Sequence, residues 1–208
     1  MKSFYLLFKR FLDFICALFA LIILSPLFLI IAVLILCDDG APIIFKQERT
    51  GKNGNNFIIY KFRSMVKTNN VYDFEKKNQY TRFGRLLRRT SLDELPQLIN
   101  VLRGEMSFIG PRPWIPDYYN SMNIHQRHRY DVRPGITGLA QVKGRNSLSV
   151  IDKINYDLVY VHDVSLKHDL KIVILTFCAL FEKDNSVASK TTVKNELQFL
   201  DEESALNV

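Results

Sequence analysis

The chain has 208 residues, 48% of them hydrophobic, which excludes a chain too small or too polar to bury a core and fits one domain. With 28 Lys and Arg against 21 Asp and Glu it carries a net charge of +7 and a pI near 9.3, which points to an anionic partner: nucleic acid, anionic lipid or a phosphorylated substrate. Neither the cysteines (Cys16, Cys37, Cys178) nor the histidines show metal-ligand spacing, and apolar neighbours predict buried, reduced thiols.

Residues 14–37 form an almost wholly apolar run, long enough to span a bilayer as one helix. No small-residue cleavage site follows it, as a signal peptide would need. Ser25-Pro26 interrupts the run near its middle, and proline removes a helical hydrogen bond and crowds the preceding turn, so a break is expected there. Lys9 and Arg10 precede the run, while Lys46, Arg49, Lys52, Lys61 and Arg63 follow it. Positive charge marks the cytoplasmic side, so a re-entrant helix-break-helix satisfies both flanks and a spanning helix only one. Each half then holds ~12 residues, ~18 Å of helix against a hydrocarbon core of ~30 Å. A kinked spanning helix and a buried soluble helix are the alternatives.

Residues 43–63 place two short apolar runs on either side of GKNGNN, a hairpin signal. The polar, aperiodic residues 66–79 predict a loop, and residues 81–89 a short basic helix. Residues 114–130 are helix-like until Arg133-Pro134-Gly135 stops them. The apolar residues 139–142, punctuated by Gly138 and Gly144, predict a strand or extended loop. Helical patterning resumes at Asp152, and residues 166–181, behind a possible Ser165 N-cap, suit either the core or a membrane interface. Beyond residue 184 polarity without periodicity predicts a disordered tail. The expected fold is α+β and mostly helical: a re-entrant anchor at 1–40, a cytosolic catalytic domain at 41–183 with a hairpin and amphipathic interfacial helices, and a tail at 184–208.

Chemistry concentrates in residues 90–113, TSLDELPQLINVLRGEMSFIGPRP. Asp93 and Glu94 stand where a helix would start, with Arg88 just before them and Arg112 between two prolines after them. Free N–H groups and partial positive charge at such an end suit a phosphorylated ligand. The bland alternative is a capping box, with Ser91 as N-cap, Glu94 at N3 and Asp93 merely facing the helix dipole. Pro96 argues against it, since it should push Leu95 out of helical angles. Neighbours on a helix point ~100° apart, so the two carboxylates are expected to do different jobs. An ionised Asp93 suits a nucleophile toward phosphorus, and Glu94, with Asp93, suits a magnesium ion shared with substrate phosphates. Arg88, Arg112, Arg129, Arg133 and Arg145 together predict one anionic ligand, with Arg112 pre-aimed by its prolines.

These blocks, in one order from Lys9 to Thr176, resemble the bacterial sugar transferase family, the monotopic phosphoglycosyl transferases. They are KRFLD, Ser25-Pro26, FKQERTGKNG, YKFRSM, SLDELPQLINVL, MSFIGPRP, RPGITGLAQVKGRN and YDLVYV. The resemblance implies a re-entrant helix broken at Ser25-Pro26, at the inner face of a bacterial plasma membrane. Its Asp-Glu dyad falls on Asp93 and Glu94, its KFR basic position on Arg63 and its Pro-Arg-Pro arginine on Arg112. It implies that the Asp attacks the β-phosphate of a UDP-sugar, releasing UMP. The phosphosugar then passes to polyprenyl phosphate, with magnesium (Mg2+) required and downstream glycosyltransferases following, in exopolysaccharide, capsule or lipopolysaccharide synthesis. Residues 66–70 read VKTNN where members often carry acidic residues, which puts an acidic role for that loop in doubt. The rival reading is a non-catalytic, membrane-tethered binder of nucleic acid or anionic lipid. Carboxylates repel phosphate backbones, so the acidic pair argues against nucleic acid. The sequence does not reveal which sugar is carried.

Overall fold

The computed structural model describes residues 2–66, 80–144, 147–181 and 193–206. Two N-terminal helices, α1 (Lys2–Ile23) and α2 (Ser25–Asp39), meet at Leu24 with a 61° bend. Pro26 sits in the first turn of α2, where its missing N–H costs least, and Ser25 Oγ donates to Ile22 O at 2.8 Å to satisfy a carbonyl freed at the break. Both helices are longer than the apolar run predicts, because their polar ends continue into the folded body. Among the described residues no single helix is long and apolar enough to cross a membrane, but the bent pair passes together on length and composition.

One face of each helix is committed to that body. Ala17 packs with Ile59, Val101 and Met106, while Ile31 and Ile35 pack with Phe62 and Leu87. At ~1.5–3 kcal/mol for each large side chain, this burial outweighs any helix propensity. The other faces expose Phe4, Phe11, Phe19, Ile23, Leu29 and Ile30. Cys16, Cys37 and Cys178 are exposed as well, contrary to the expectation that they are buried, because an apolar neighbourhood in sequence does not say which helix face meets the core.

The predicted hairpin forms: β1 (Ile44–Thr50) pairs antiparallel with β2 (Asn56–Phe62), Gln47 opposite Ile59. The basic helix α3 (Arg82–Arg89) is N-capped by Thr81, and Asp38 from the end of α2 accepts from Phe83 N at 2.8 Å. Helix α4 (Gln97–Arg103) follows; Arg10 of α1 caps its C-terminus, donating to Val101 O and Leu102 O at 2.6 and 2.8 Å. Strand β3 (Ser107–Ile109) pairs parallel with β4 (Gly135–Thr137), and between them lie α5 (Pro116–Ser121), α6 (Ile124–Arg127) and a 3-10 turn, His128–Tyr130.

Residues 139–143 are helix α7 (Leu139–Lys143), not the strand expected; a four-residue apolar run has no period by which to choose. Helices α8 (Val150–His162) and α9 (Leu166–Phe181) follow. Buried Asp169 of α9 accepts from Tyr5 and Lys9 of α1, each at 2.6 Å, and from Tyr160 of α8 at 2.8 Å, which ties the first helix to the last part of the domain. The expectation of a disordered tail is overturned for residues 193–206, which form α10 (Val193–Leu206). Leu200 is fully buried there among Ile115, Tyr118 and Ile154. Tertiary burial of a few apolar residues fixes a helix whose own pattern is too polar to announce it. The architecture is therefore a mostly helical α+β domain with two small sheets.

Candidate active site

The dyad lies in a 3-10 turn, Leu92–Glu94, that leads into α4. Ser91 takes a left-handed conformation (φ 56°) and its side chain caps nothing, so the capping box is absent. A left-handed serine costs ~1–2 kcal/mol, and strain of this kind collects at functional sites. Leu95 stays helical despite Pro96 (φ −53°, ψ −37°), so the turn and α4 run on without the predicted break.

The hairpin reaches this turn through Asn100 of α4. Its side chain accepts from Tyr60 N at 3.2 Å and donates to Ile58 O and to Glu105 Oε2, each at 2.7 Å. Lys61 shares a strand face with buried Ile59, so this docking delivers its ammonium to Glu94 Oε1 at 2.7 Å. Arg112 Nη2 donates to the same oxygen at 2.7 Å.

Glu94 thus sits between two cations. Burial disfavours its charge, but Arg112 and Lys61 overcome this and hold the carboxyl well below the ordinary carboxylate range. Asp93 is buried, with 7% of its surface exposed, and among the described residues its carboxylate accepts no hydrogen bond. Burial, then the nearby charge of Glu94, pushes the Asp93 carboxyl upward against the pull of Lys61, Arg88 and Arg112. Burial also pushes Lys61 down, against the attraction of Glu94. The pair is therefore split: Glu94 is pinned by two donors, and Asp93 is left without one among the described residues. Such divergence between neighbouring acids is the pattern of groups with separate roles.

Arg112 is held from below by glycine contacts. Gly110 N donates to Thr137 O and Gly135 N to Pro111 O, both at 2.9 Å. A Cβ on Gly135 would stand 2.1 Å from Gly110 N, so only glycine lets the RPG turn approach the GPRP loop. The Arg112 side chain remains 44% exposed, with one nitrogen on Glu94 and the rest of its fork without a partner among the described residues.

Arg129 was expected to bind phosphate, and the structure corrects this. Its guanidinium is buried, meets Asp157 through two nitrogens at 2.6 and 3.1 Å, and stacks 3.9 Å from the Trp114 ring. Its Nη2 also donates to Arg112 O at 2.9 Å, so it braces the Arg112 backbone instead of facing ligand. Arg133 donates to Gly104 O at 2.7 Å at the end of α4 and is likewise not brought to the dyad. Arg63 is buried against the end of α2, donating to the carbonyls of Asp39 and Gly40 at 2.9 and 2.6 Å. Arg88 is exposed, stacks on Tyr80, and is close enough for its charge to favour ionised Asp93. Arg145 and residues 67–79 lie outside the described residues, and Ser25 and Pro26 stand at the helix break.

The structure thus brings together Asp93, Glu94 and Arg112, and adds Lys61, which the sequence offered only as flanking charge. The missed signal was its spacing: a lysine two residues after a buried strand position points to the same face. Among the described residues no group of three or more His, Cys, Asp or Glu could hold a metal. The donors that remain, the Asp93 carboxylate and Glu94 Oε2, are hard oxygens. They fit magnesium, which takes one or two protein carboxylates and completes its shell with phosphate and water.

The family model described as bacterial sugar transferase matches residues 4–183. The uncharacterized sugar transferase EpsL of Bacillus subtilis is 42% identical over 173 residues, 81% of this chain and 84% of that one. The UDP-glucose:undecaprenyl-phosphate glucose-1-phosphate transferase of Caulobacter vibrioides is 40% identical over 190 residues, 86% of this chain and 71% of the relative. The undecaprenyl-phosphate galactose phosphotransferase of Salmonella typhimurium is 36% identical over 197 residues, 86% of this chain but 41% of its own length.

Proposed function

Because the chain belongs to the bacterial sugar transferase family, we propose that it transfers a sugar-1-phosphate from a UDP-sugar to undecaprenyl phosphate and so initiates polysaccharide synthesis. The observation that carries the reading is the divided dyad: Asp93 is buried with no hydrogen bond to its carboxylate among the described residues, and Glu94 is clamped by Lys61 and Arg112. A carboxylate that no donor stabilises is the more basic and more nucleophilic of the pair.

Asp93 Oδ attacks the sugar-bearing β-phosphorus, the bond from that phosphorus to the bridging oxygen breaks, and UMP leaves carrying the bridging oxygen on its α-phosphorus. An oxygen of undecaprenyl phosphate then attacks the aspartyl phosphosugar. That forms the diphosphate linkage and returns the Asp93 carboxylate. Arg112 offers the part of its fork that does not meet Glu94 to phosphate oxygens, and Lys61 supplies a second cation beside the developing charge. Magnesium, held by Asp93 and Glu94 Oε2 together with substrate oxygens, would neutralise diphosphate charge. The rival reading, a non-catalytic binder of nucleic acid or anionic lipid, gives no role to this dyad and is not favoured.

The acceptor is a lipid, which suits a membrane-bound enzyme. The bent helix pair enters and leaves one folded body: Arg10 caps α4 near its start and Asp38 meets α3 at its end. That geometry supports the re-entrant mode, with the catalytic domain on the cytoplasmic side and downstream glycosyltransferases receiving the product. Helix α9, with Leu166, Leu170, Ile174 and Phe177 exposed in one stripe beside Lys167 and Lys171, suits the membrane interface. The decisive experiment incubates purified protein with a panel of UDP-sugars, undecaprenyl phosphate and magnesium. UMP release with one of them is expected, along with a trapped phosphosugar when the lipid is withheld. Absence of UMP with every sugar would reject the proposal.

A further inference from the structure

The last helix lies beyond the family match, which ends at residue 183, yet it is built into the wall behind Arg112. Val193, Leu197 and Leu200 recur at helical spacing and meet Ile115, Tyr118, Met122 and Ile154, with Leu200 fully buried. Glu196, on the same face, accepts from the Tyr118 hydroxyl and lies 4.0 Å from Lys153 Nζ of α8. From Tyr118 contacts run without a gap toward the site. Its ring is 4.8 Å from that of Trp114, Arg129 stacks 3.9 Å over Trp114, and Arg129 Nη2 donates to Arg112 O at 2.9 Å. Arg112 then reaches Glu94 at 2.7 Å.

We propose that α10 is a positioning element for the phosphate-binding arginine, with Leu200 and Glu196 holding α5 and Trp114 so that Arg129 fixes the Arg112 backbone. The argument rests on the role given to Arg112 above. It differs from simple stabilisation because α10 packs on Ile115, Tyr118 and Met122, in and around α5, which begins at Pro116, close behind Pro113. A helix seated there restrains the loop on one side while the glycine contact of Gly135 restrains it on the other. A 1 Å drift of a positioned group is enough to cost ~100-fold in rate, so a remote anchor of this kind has leverage.

The test is a double-mutant cycle in the full chain, reading UMP release with the UDP-sugar that the wild-type protein turns over fastest. Leu200→Ala should lower kcat/KM by about tenfold in the wild-type background but by less than about twofold in Arg112→Lys, since residues acting through one another are not additive. Glu196→Ala should follow the same pattern more weakly, and Glu196→Gln, whose amide oxygen still accepts from Tyr118, should restore most of the loss. Hydrogen exchange should quicken at residues 112–119 in Leu200→Ala and stay unchanged in the β1–β2 hairpin. If Leu200→Ala does not fold, the Glu196 pair decides alone. Equal losses in both backgrounds, or full activity with only a lower Tm, would overturn the proposal. If Arg112→Lys is itself silent, the reading of the active site fails instead.

Discussion

Two carboxylates adjacent in sequence reach opposite electrostatic states because the fold surrounds them differently. Glu94 receives two donors on one oxygen, while Asp93 is buried with none among the described residues. Their contributions to stability have opposite signs. Glu94, with its carboxyl held below the ordinary value, stabilises the fold above that value and loses this as pH falls toward its lowered pKa. Asp93, with a raised carboxyl, holds its proton more tightly folded than unfolded, so stability falls as pH rises through its folded pKa. Asp93→Asn should therefore abolish UMP release and the trapped phosphosugar while raising Tm at neutral pH. Turnover in that variant would remove Asp93 as the nucleophile. If Asp93 is the nucleophile, the acid limb of the wild-type rate profile should also lie above the usual aspartate range, because that carboxyl must ionise to attack.

Arg112 belongs to the same scale. Lysine keeps the charge but loses the planar fork, so Arg112→Lys should lose about 30- to 1000-fold in kcat/KM, the cost of ~2–4 kcal/mol of under-paired phosphate. Circular dichroism should show an intact fold, since the side chain is 44% exposed and contacts only Glu94 among described groups. Near-wild-type kinetics would mark Arg112 as a surface charge.

Elements decide which arginines are available for that work. Arg129 looked equivalent to Arg112 in sequence, but Asp157 of α8 and the ring of Trp114 enclose it. Removing one partner of a buried pair leaves the other charge uncompensated, at ~3–5 kcal/mol. Arg129→Ala should accordingly unfold at much lower urea or temperature than Arg112→Lys, with activity lost through the fold. Wild-type stability together with a raised KM would return Arg129 to the ligand. The hairpin shows the converse: an element that looks peripheral brings Lys61 to Glu94, because Asn100 pins it to α4.

At the scale of the whole molecule, the question is how an apolar helix pair and a basic domain share one chain. The pair exposes large apolar side chains on its outer faces and buries Ala17, Ile31 and Ile35 against the domain. Contiguous apolar surface of this kind is uncommon on soluble monomers and is typical of a membrane or protein contact. If the pair re-enters the side it left, cysteines placed at Lys2 and Asn53, in a background with the native thiols replaced by serine, should be labelled from the same side of the membrane. Opposite labelling would sink the re-entrant reading. Pro26→Leu should restore the hydrogen bond at the break and send part of the population into a spanning orientation.

What the sequence determined by itself was local and ordered. The Ser25-Pro26 break, the hairpin around GKNG and the basic α3 were all legible, since propensity and turn chemistry act over a few residues, and the charge spacing of the block from Ser91 to Pro113 singled it out as the candidate site. The same run of motifs carried the family resemblance that the match over residues 4–183 bears out. Tertiary structure alone decided the rest. It put Lys61 on Glu94, turned Arg129 and Arg133 into braces, cancelled the capping box at a left-handed Ser91, and recruited residues 193–206 as a helix. Each outcome depends on burial against residues distant in the chain. A guanidinium or carboxylate has no fixed role until its surroundings settle whether water, a partner or a ligand will meet its charge.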